Sequence, residues 1–260
     1  MTIIATVQVR MGSSRLPGKV LRPVAGQPLL GHLLDRLALA RRLDGVVVAT
    51  SVRPENDAIE AYCRSRGTPC FRGDEDDVLG RMLGALRTQG ATVGVEVFGD
   101  CPLIDPAIVD QMIGLYLDAA AQEGTSQGEA GACDFVGNDL TTTWPPGMEV
   151  EVFSMAAFED SDRRCRDPAI REHGTLFIRQ NPGLYRLKNI EAPPAFHRPE
   201  LELEVDTLED VAVLEAVFNH FSGTPDFGLA ALIAFLDADP TLAALNQNVP
   251  RRWKEFRADG

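Results

Sequence analysis

The chain has 260 residues, 45% of them hydrophobic, which is enough to close a sizeable core as one large domain. Its formal net charge of -13 works against unspecific binding to nucleic acid or to an anionic membrane, since both reward basic faces. No apolar run approaches the ~20 residues of a membrane helix, and nothing at the N-terminus resembles a signal peptide. Five widely spaced cysteines (Cys63, Cys70, Cys101, Cys133, Cys165) lack a C-x-x-C pair, which argues against a disulfide framework or zinc site and for a reducing cytoplasm.

The first apolar run, Ile3 to Val7, has the length of one buried strand. It leads into Gln8-Val9-Arg10-Met11-Gly12-Ser13-Ser14-Arg15-Leu16-Pro17-Gly18-Lys19, a strand-to-helix connection of the kind where an open α/β sheet places its ligand. Small residues there permit close backbone approach. Arg10, Arg15 and Lys19 add positive charge well before the first acidic residue, Asp35. Cations gathered at one strand end of an acidic chain suggest a small polyanion, most simply a nucleoside triphosphate. The backbone N–H groups of Gly12, Ser13 and Ser14 are expected to cradle phosphate oxygens, with Arg15 and Lys19 neutralising them. A basic surface turn is the plain alternative. The stretch matches neither G-x-x-x-x-G-K-[ST] nor G-x-G-x-x-G.

Leu29, Leu30, Leu33, Leu34 and Leu37 recur at helical spacing and predict a helix from Pro28 to Leu43, ended by Gly45. Val46 to Thr50 reads as a second strand, because it is continuous and β-branched. A helix from Asn56 to Arg66 is broken by Gly67-Thr68-Pro69, and Cys70-Phe71 follows as a short strand. Asp74 to Gln89 is helical by pattern, and Thr92 to Phe98 is another strand. Asp105-Pro106 starts a helix that runs to Ala121, with Asp as N-cap and Pro at the first helical position. The Gly/Ser/Glu-rich stretch Gln122 to Ala132 reads as a surface loop.

Beyond it the pattern is less regular. Cys133 to Val136 and Met148 to Phe153 are predicted strands on either side of the rigid turn Thr143 to Gly147. A helix capped by Asp167 is expected to end near Asn181. Tyr185 to Ile190 and Leu201 to Val205 read as strands, Thr207 to Phe221 and Gly228 to Leu236 as helices. Strands alternating with helices imply βαβ units and hence a three-layer α/β/α sandwich on a mostly parallel mixed sheet.

Five further patterns bear on chemistry. In Phe98-Gly99-Asp100-Cys101-Pro102-Leu103 a carboxylate follows the end of a strand, where Mg²⁺ is held by one or two carboxylates plus substrate phosphates; an Asx-turn before Pro102 is the alternative. Asp206 likewise lies where strand meets helix, although Thr207 and Asp210 resemble a capping box that would explain it. Asp74-Glu75-Asp76 spells the D-x-D of metal-dependent glycosyltransferases, but it starts a helix instead of ending a core strand. Glu149 and Glu151, two apart on a strand, share a face and suit a cation, an amide or a hydroxylated ligand, unless they are solvated edge residues. His173 is an acid–base candidate or a structural hydrogen-bonder.

Together these motifs resemble the cytidylyltransferases that make CMP-activated acidic sugars, in the branch of the spore-coat polysaccharide SpsF-like proteins. The resemblance rests on Gln8 to Leu21, Arg72-Gly73 with Asp77-Val78-Leu79-Gly80-Arg81, Gly99 to Ile104, Arg171-Glu172-His173 and Val205 to Asp210, all in the order of that group. It implies a nucleotide-diphospho-sugar transferase, GT-A-like fold over one domain, 1–260, with 133–200 as the acceptor-binding and dimerisation part. It also implies attack by an acceptor oxygen on the α-phosphate of CTP with loss of pyrophosphate. By that likeness Arg15 and Lys19 are the triphosphate-binding cations and catalytic residues. Asp100 and Asp206 are the Mg²⁺ ligands. Arg10, Met11, Gly12, Ser13, Arg72, Asp77 and Asp100 surround the nucleotide, with Arg72 and Asp77 closing over base and ribose. Glu149, Glu151, Glu172 and His173 are the acceptor-side residues. The resemblance further implies a cytoplasmic homodimer joined through Thr175 to Arg179. The chain departs from the usual pattern at Val9 and at Gly174, where the group more often carries Ala and Val. A glycosyltransferase of the same general fold and a non-catalytic nucleotide-binding protein remain as other readings at this point.

Overall fold

The strand runs of this chain are continuous and apolar because both faces of the sheet are covered. A computed structural model describes residues 1–121 and 133–251. The loop expected at 122–132 lies outside the described residues. Strands β1 (Ile3–Gln8), β4 (Gly45–Ser51), β5 (Cys70–Gly73), β6 (Val93–Phe98), β7 (Phe135–Gly137), β8 (Glu151–Ser154) and β9 (Leu187–Asn189) form a seven-stranded sheet in the order β5-β4-β1-β6-β8-β7-β9. β1 is parallel to both neighbours, and β8 runs antiparallel to β6 and β7. The sheet is therefore mixed and mostly parallel, as the alternation predicts.

Val7, Val48, Val97 and Val152 project from one face. They meet α1 (Leu29–Leu37), α2 (Asp57–Arg66), α4 (Pro106–Ala121), α8 (Leu208–His220) and α9 (Leu229–Ala238). Ile4, Val47, Ala49, Phe135 and Phe153 project from the other face. They meet α3 (Val78–Thr88), α5 (Met155–Arg164) and α7 (Leu176–Gln180). Each fully buried Leu or Phe in these layers contributes about 1.5–3 kcal/mol. Among the described residues no helix is long and apolar enough to cross a membrane.

Several boundaries differ from expectation for local reasons. A small hairpin, β2 (Pro23–Val24) with β3 (Gln27–Pro28), precedes α1; two residues per strand are too few to show alternation. α1 stops at Leu37 instead of running to Leu43, because the Arg41 and Arg42 amides turn to the Asp110 carboxylate at 3.0 and 2.8 Å. α3 starts at Val78, not Asp74: the Asp74 carboxylate accepts from the Asp76 and Asp77 amides, and Asp77 caps the helix through Gly80 N–H. α5 has no counterpart in the sequence reading, although Ser154 caps it and Met155, Ala157, Phe158 and Ser161 bury one side.

The helix expected from Asp167 to Asn181 is two short ones, α6 (Pro168–Arg171) and α7, parted at Gly174 with φ +49°. β8 begins at Glu151 instead of Met148, since the Asn138 side-chain amide, not a strand, bonds Met148 O and Val150 N–H. A last short helix, α10 (Pro240–Ala243), is capped by Asp239.

The largest correction concerns Leu201 to Val205. The segment is extended but belongs to no sheet. It is anchored by Leu203 N–H to Pro146 O at 2.7 Å and Val205 N–H to Asp100 O at 2.9 Å. Gly147 makes this possible. Its φ is +104°, and a Cβ there would lie 2.6 Å from the Leu203 carbonyl carbon. Replacing Gly147 by Ala should lower the unfolding midpoint by about 5–10 °C, because left-handed strain and a backbone clash act together. An unchanged midpoint in a thermal melt would show that the segment seats without Gly147.

Candidate active site

Where β1 ends, the chain closes a loop on a single carbonyl. Met11 O accepts from Ser13 N–H at 3.0 Å and from Gly18 N–H at 2.9 Å, and Gly18 takes the left-handed turn that starts the 3-10 turn Lys19–Leu21. Asn56, at the head of α2, holds this loop to β4: its Oδ1 accepts from Met11 N–H and its Nδ2 donates to Ser51 Oγ, at 2.8 and 2.7 Å. β6 ends alongside. A Cβ on Gly99 would lie 2.2 Å from Gln8 O, so only glycine lets the two strand ends come this close. The chain then turns through Cys101 N–H to Phe98 O and presents Asp100.

The third wall is the turn before α8. Asp206 N–H and Thr207 N–H both donate to Asp210 Oδ2 at 2.8 Å, which completes a capping box. The capping reading of this segment is correct, and Asp206 itself still faces the loop. Lys19 Nζ sits between the two aspartates. It donates to Asp206 Oδ1 at 3.0 Å, to Asp100 Oδ2 at 3.2 Å and to Val205 O at 2.6 Å. Arg15 pairs with Asp206 Oδ2 at 2.5 Å and donates to Pro250 O at 2.8 Å. Burial works to lower the Lys19 pKa, but the charges and hydrogen bonds of Asp100 and Asp206 outweigh it and raise it. The ammonium stays charged throughout the neutral range.

These groups face a cleft of about 320 Å³ whose walls include Arg10, the Gly12-Ser13-Ser14 backbone, Arg15, Lys19, Asp100 and Asp206. Of the three amides expected to cradle phosphate, that of Ser13 is spent inside the loop on Met11 O. Asp100 and Asp206 are the pair that could hold a divalent ion. They are hard oxygen donors already converging on one cation, and an ion such as Mg²⁺ completes its shell from phosphates and water. Among the described residues no group of three or more His, Cys, Asp or Glu forms a cage of its own.

The other candidates are dispersed. Arg10 reaches Glu75 at 3.3 Å and Glu172 at 3.6 Å, so both acids help hold it at the cleft rim. Arg72 turns away onto α2, pairing with Asp57 and Glu60 and donating to Ser51 O and Arg53 O. Asp77 takes the forked guanidinium of Arg171 at 2.9 and 2.7 Å, beside a separate surface hollow. Glu149 and Glu151 are not solvated edge residues: both are buried. Glu149 accepts from Gly147 N–H at 2.7 Å, near the buried Cys101 thiol. His173 is half-buried, and that burial lowers its pKa. Leu176 and Ile178, in the stretch the resemblance assigns to a dimer contact, are buried in the chain's own core.

Glu151 belongs to a different group. It lies across the ladder from Glu96, next to Asp139, and bonds Thr175 and Arg179. Gly174 packs on this group so closely that a Cβ would be 3.0 Å from Glu96 Oε2. Sequence reading missed Glu96, Asn56, Asp139 and Arg179. It also missed Glu202, Glu204 and Arg251, which surround Asp206, and it read Asp210 only as a cap. The one available signal was the strict alternation Leu201-Glu202-Leu203-Glu204-Val205-Asp206, which places three acids on one face.

Residues 4–221 match the family model described as Cytidylyltransferase. The chain is 33% identical over 246 residues to the spore coat polysaccharide biosynthesis protein SpsF of Bacillus subtilis, covering 93% of this chain and 96% of that one. It is 37% identical over 128 residues to a 3-deoxy-manno-octulosonate cytidylyltransferase of Geobacter sulfurreducens, covering 48% of this chain and 50% of that protein. A solved cytidylyltransferase from Leptospira borgpetersenii superimposes with a TM-score of 0.83 at 29% identity, covering 96% of this chain and 98% of the other.

The buried acids make one prediction on pH. Burial, and then Asp139, push the Glu151 carboxyl up to about 7, against Arg179 and Thr175. A carboxyl whose pKa is higher folded than unfolded binds its proton more tightly in the folded state. It therefore withdraws stability as pH rises from the ordinary carboxylate range to about 7. Glu151→Gln should unfold later than wild type at pH 8, by about 1–3 kcal/mol, and lose that advantage at pH 5. A stability difference that stays constant across this range would show that Glu151 does not titrate there.

Proposed function

The chain belongs to the cytidylyltransferase family, and from that membership we propose that it transfers CMP from CTP to a small acidic acceptor, a carboxylated sugar, with release of pyrophosphate. The observation that carries the reading is the cleft in which Arg15 and Lys19, the loop amides and the Asp100–Asp206 pair meet. Polyanion-binding cations and metal-suited carboxylates on facing walls suit a triphosphate with its divalent ion. The octulosonate-specific relative favours an acidic sugar as acceptor.

In the proposed reaction an acceptor oxygen attacks the α-phosphorus, the bond to the bridging oxygen breaks, and pyrophosphate leaves with the electron pair. Such transfers leave the protein mainly positioning and charge stabilisation to perform. Arg15 and Lys19 leave their aspartates for the phosphates and take up the charge that grows on pyrophosphate. The loop after β1 presents its backbone N–H groups to the phosphate oxygens. Gly99 keeps Asp100 close to that loop, and the Asp210 cap keeps Asp206 facing it. Mg²⁺ held by Asp100 and Asp206 would act as a Lewis acid on the α-phosphate.

The direct test is a pyrophosphate-release screen of the four nucleoside triphosphates against a panel of acidic sugars and phosphonates. CTP with a carboxylated sugar should give Mg²⁺-dependent release. Release of nucleoside diphosphate from a nucleotide sugar would identify a glycosyltransferase instead. With the acceptor in hand, Arg15→Ala should lower kcat by on the order of 10²–10³, the scale of one lost electrostatic stabiliser. Wild-type turnover in that variant would remove Arg15 from the mechanism. Asp100→Asn should abolish Mg²⁺-dependent release, and undiminished activity would leave Asp100 a turn former.

A further inference from the structure

Asp206 is not held in place by its own turn alone. Its amide hangs on Asp210 Oδ2, and Asp210 is gripped from the far side by Arg251. The Arg251 guanidinium donates to Asp210 Oδ1 at 2.6 Å and to Oδ2 at 3.1 Å, and Asn246 Nδ2 adds a bond to Oδ1 at 2.8 Å. The Arg251 side chain is completely buried. It lies 3.4 Å from Glu202, 3.6 Å from Glu204 and 3.8 Å from Asp206, the three acids that alternate along one extended segment. Pro250, the residue before Arg251, supplies the carbonyl that receives Arg15. One stretch, Asn246 to Arg251, thus touches both the carboxylate wall and a cation of the opposite wall. It lies beyond the part of the chain that the family model matches.

We propose that Arg251 is a positioning residue for the metal-binding face of the cleft. It fixes the Asp206 carboxylate through Asp210 and prevents the stacked acids beside it from driving the segment apart. Pro250 O, held at the same time, sets the resting place of Arg15. The inference rests on the metal role proposed above for Asp206. An arginine is needed because its planar fork meets both Asp210 oxygens while the rest of the group faces Glu202 and Glu204, whereas an ammonium is a single point of charge. Removing one partner from a buried charge group leaves the remaining charges uncompensated. Side chains that orient a metal ligand typically set metal affinity by about 10–100-fold.

The test is binding of Mn²⁺, followed by electron paramagnetic resonance, to the full chain with CTP and no acceptor. Arg251→Met should weaken Mn²⁺ binding by about 10–100-fold. Arg251→Lys, which keeps the charge and loses the fork, should fall between that variant and wild type. In turnover, the Mg²⁺ concentration for half-maximal rate should rise, while kcat at saturating Mg²⁺ changes much less. A merely structural arginine would lower the unfolding temperature and leave the metal affinity of the folded protein unchanged. Wild-type Mn²⁺ affinity in folded Arg251→Met overturns the proposal. If that variant does not fold, Arg251→Lys decides by the same criterion: weakened binding supports the proposal and wild-type binding overturns it. Wild-type chain that binds Mn²⁺ with CTP but releases no pyrophosphate with any acceptor of the acidic-sugar and phosphonate panel would refute the transfer reaction and leave the role of Arg251 standing.

Discussion

The Lys19 ammonium lies between the Asp100 and Asp206 carboxylates at 3.2 and 3.0 Å. The three residues come from the loop after β1, the end of β6 and the turn before α8. Their meeting is the constraint that the neighbouring structure serves. Parallel pairing of β1 with β6 puts both strand ends on one side of the sheet. Gly99 allows those ends to touch, and Gly147 seats the extended segment that carries Asp206. Asn56 ties the cationic loop to β4, and Asp210 caps α8 while holding the Asp206 amide.

This arrangement is not a device for stability. Taking charges out of water costs several kcal/mol per ion, and even a well-made buried pair roughly offsets that cost. What the pairing does is keep an acidic wall and a basic wall together. The cations suited to phosphate neutralise the carboxylates suited to a metal. In the proposed reaction a triphosphate arriving with its divalent ion would give each of these groups a new partner of the right sign, so that exchange replaces creation of charge. The acids behind the wall follow the same logic. Burial, and then the neighbouring Asp100, Glu149 and Asp206, push Glu204 well above the carboxylate range despite Arg251. That shift favours its neutral form and eases the charge that Arg251 balances.

The sheet was legible because β1, β4 and β6 are continuous β-branched runs between helices of clear period. The three groups of the hub were legible singly, as Lys19 in a basic loop and as Asp100 and Asp206 at strand ends. Their contact was not, because nothing in local pattern fixes which strands neighbour each other. The segment 201–205 alternates as a strand would, yet its polar face is turned to buried Arg251 instead of water, and its backbone finds only isolated partners. Arg251 itself has no local signature. Glu149 and Glu151 read as edge residues because alternation cannot distinguish a face open to water from one covered by helices. Arg72 and Asp77 were assigned by likeness, and their side chains are engaged by α2 and by Arg171. The break at Gly174 separates two short helices that a periodic reading joins.

The most direct measurement is a crystal structure of the chain with CTP and Mg²⁺. The exchange of partners described above predicts the ion between Asp100 and Asp206, with the Lys19 and Arg15 groups moved onto the phosphates. A nucleotide bound in this cleft with the Lys19–Asp100 and Lys19–Asp206 pairs intact, or bound elsewhere on the molecule, would contradict it.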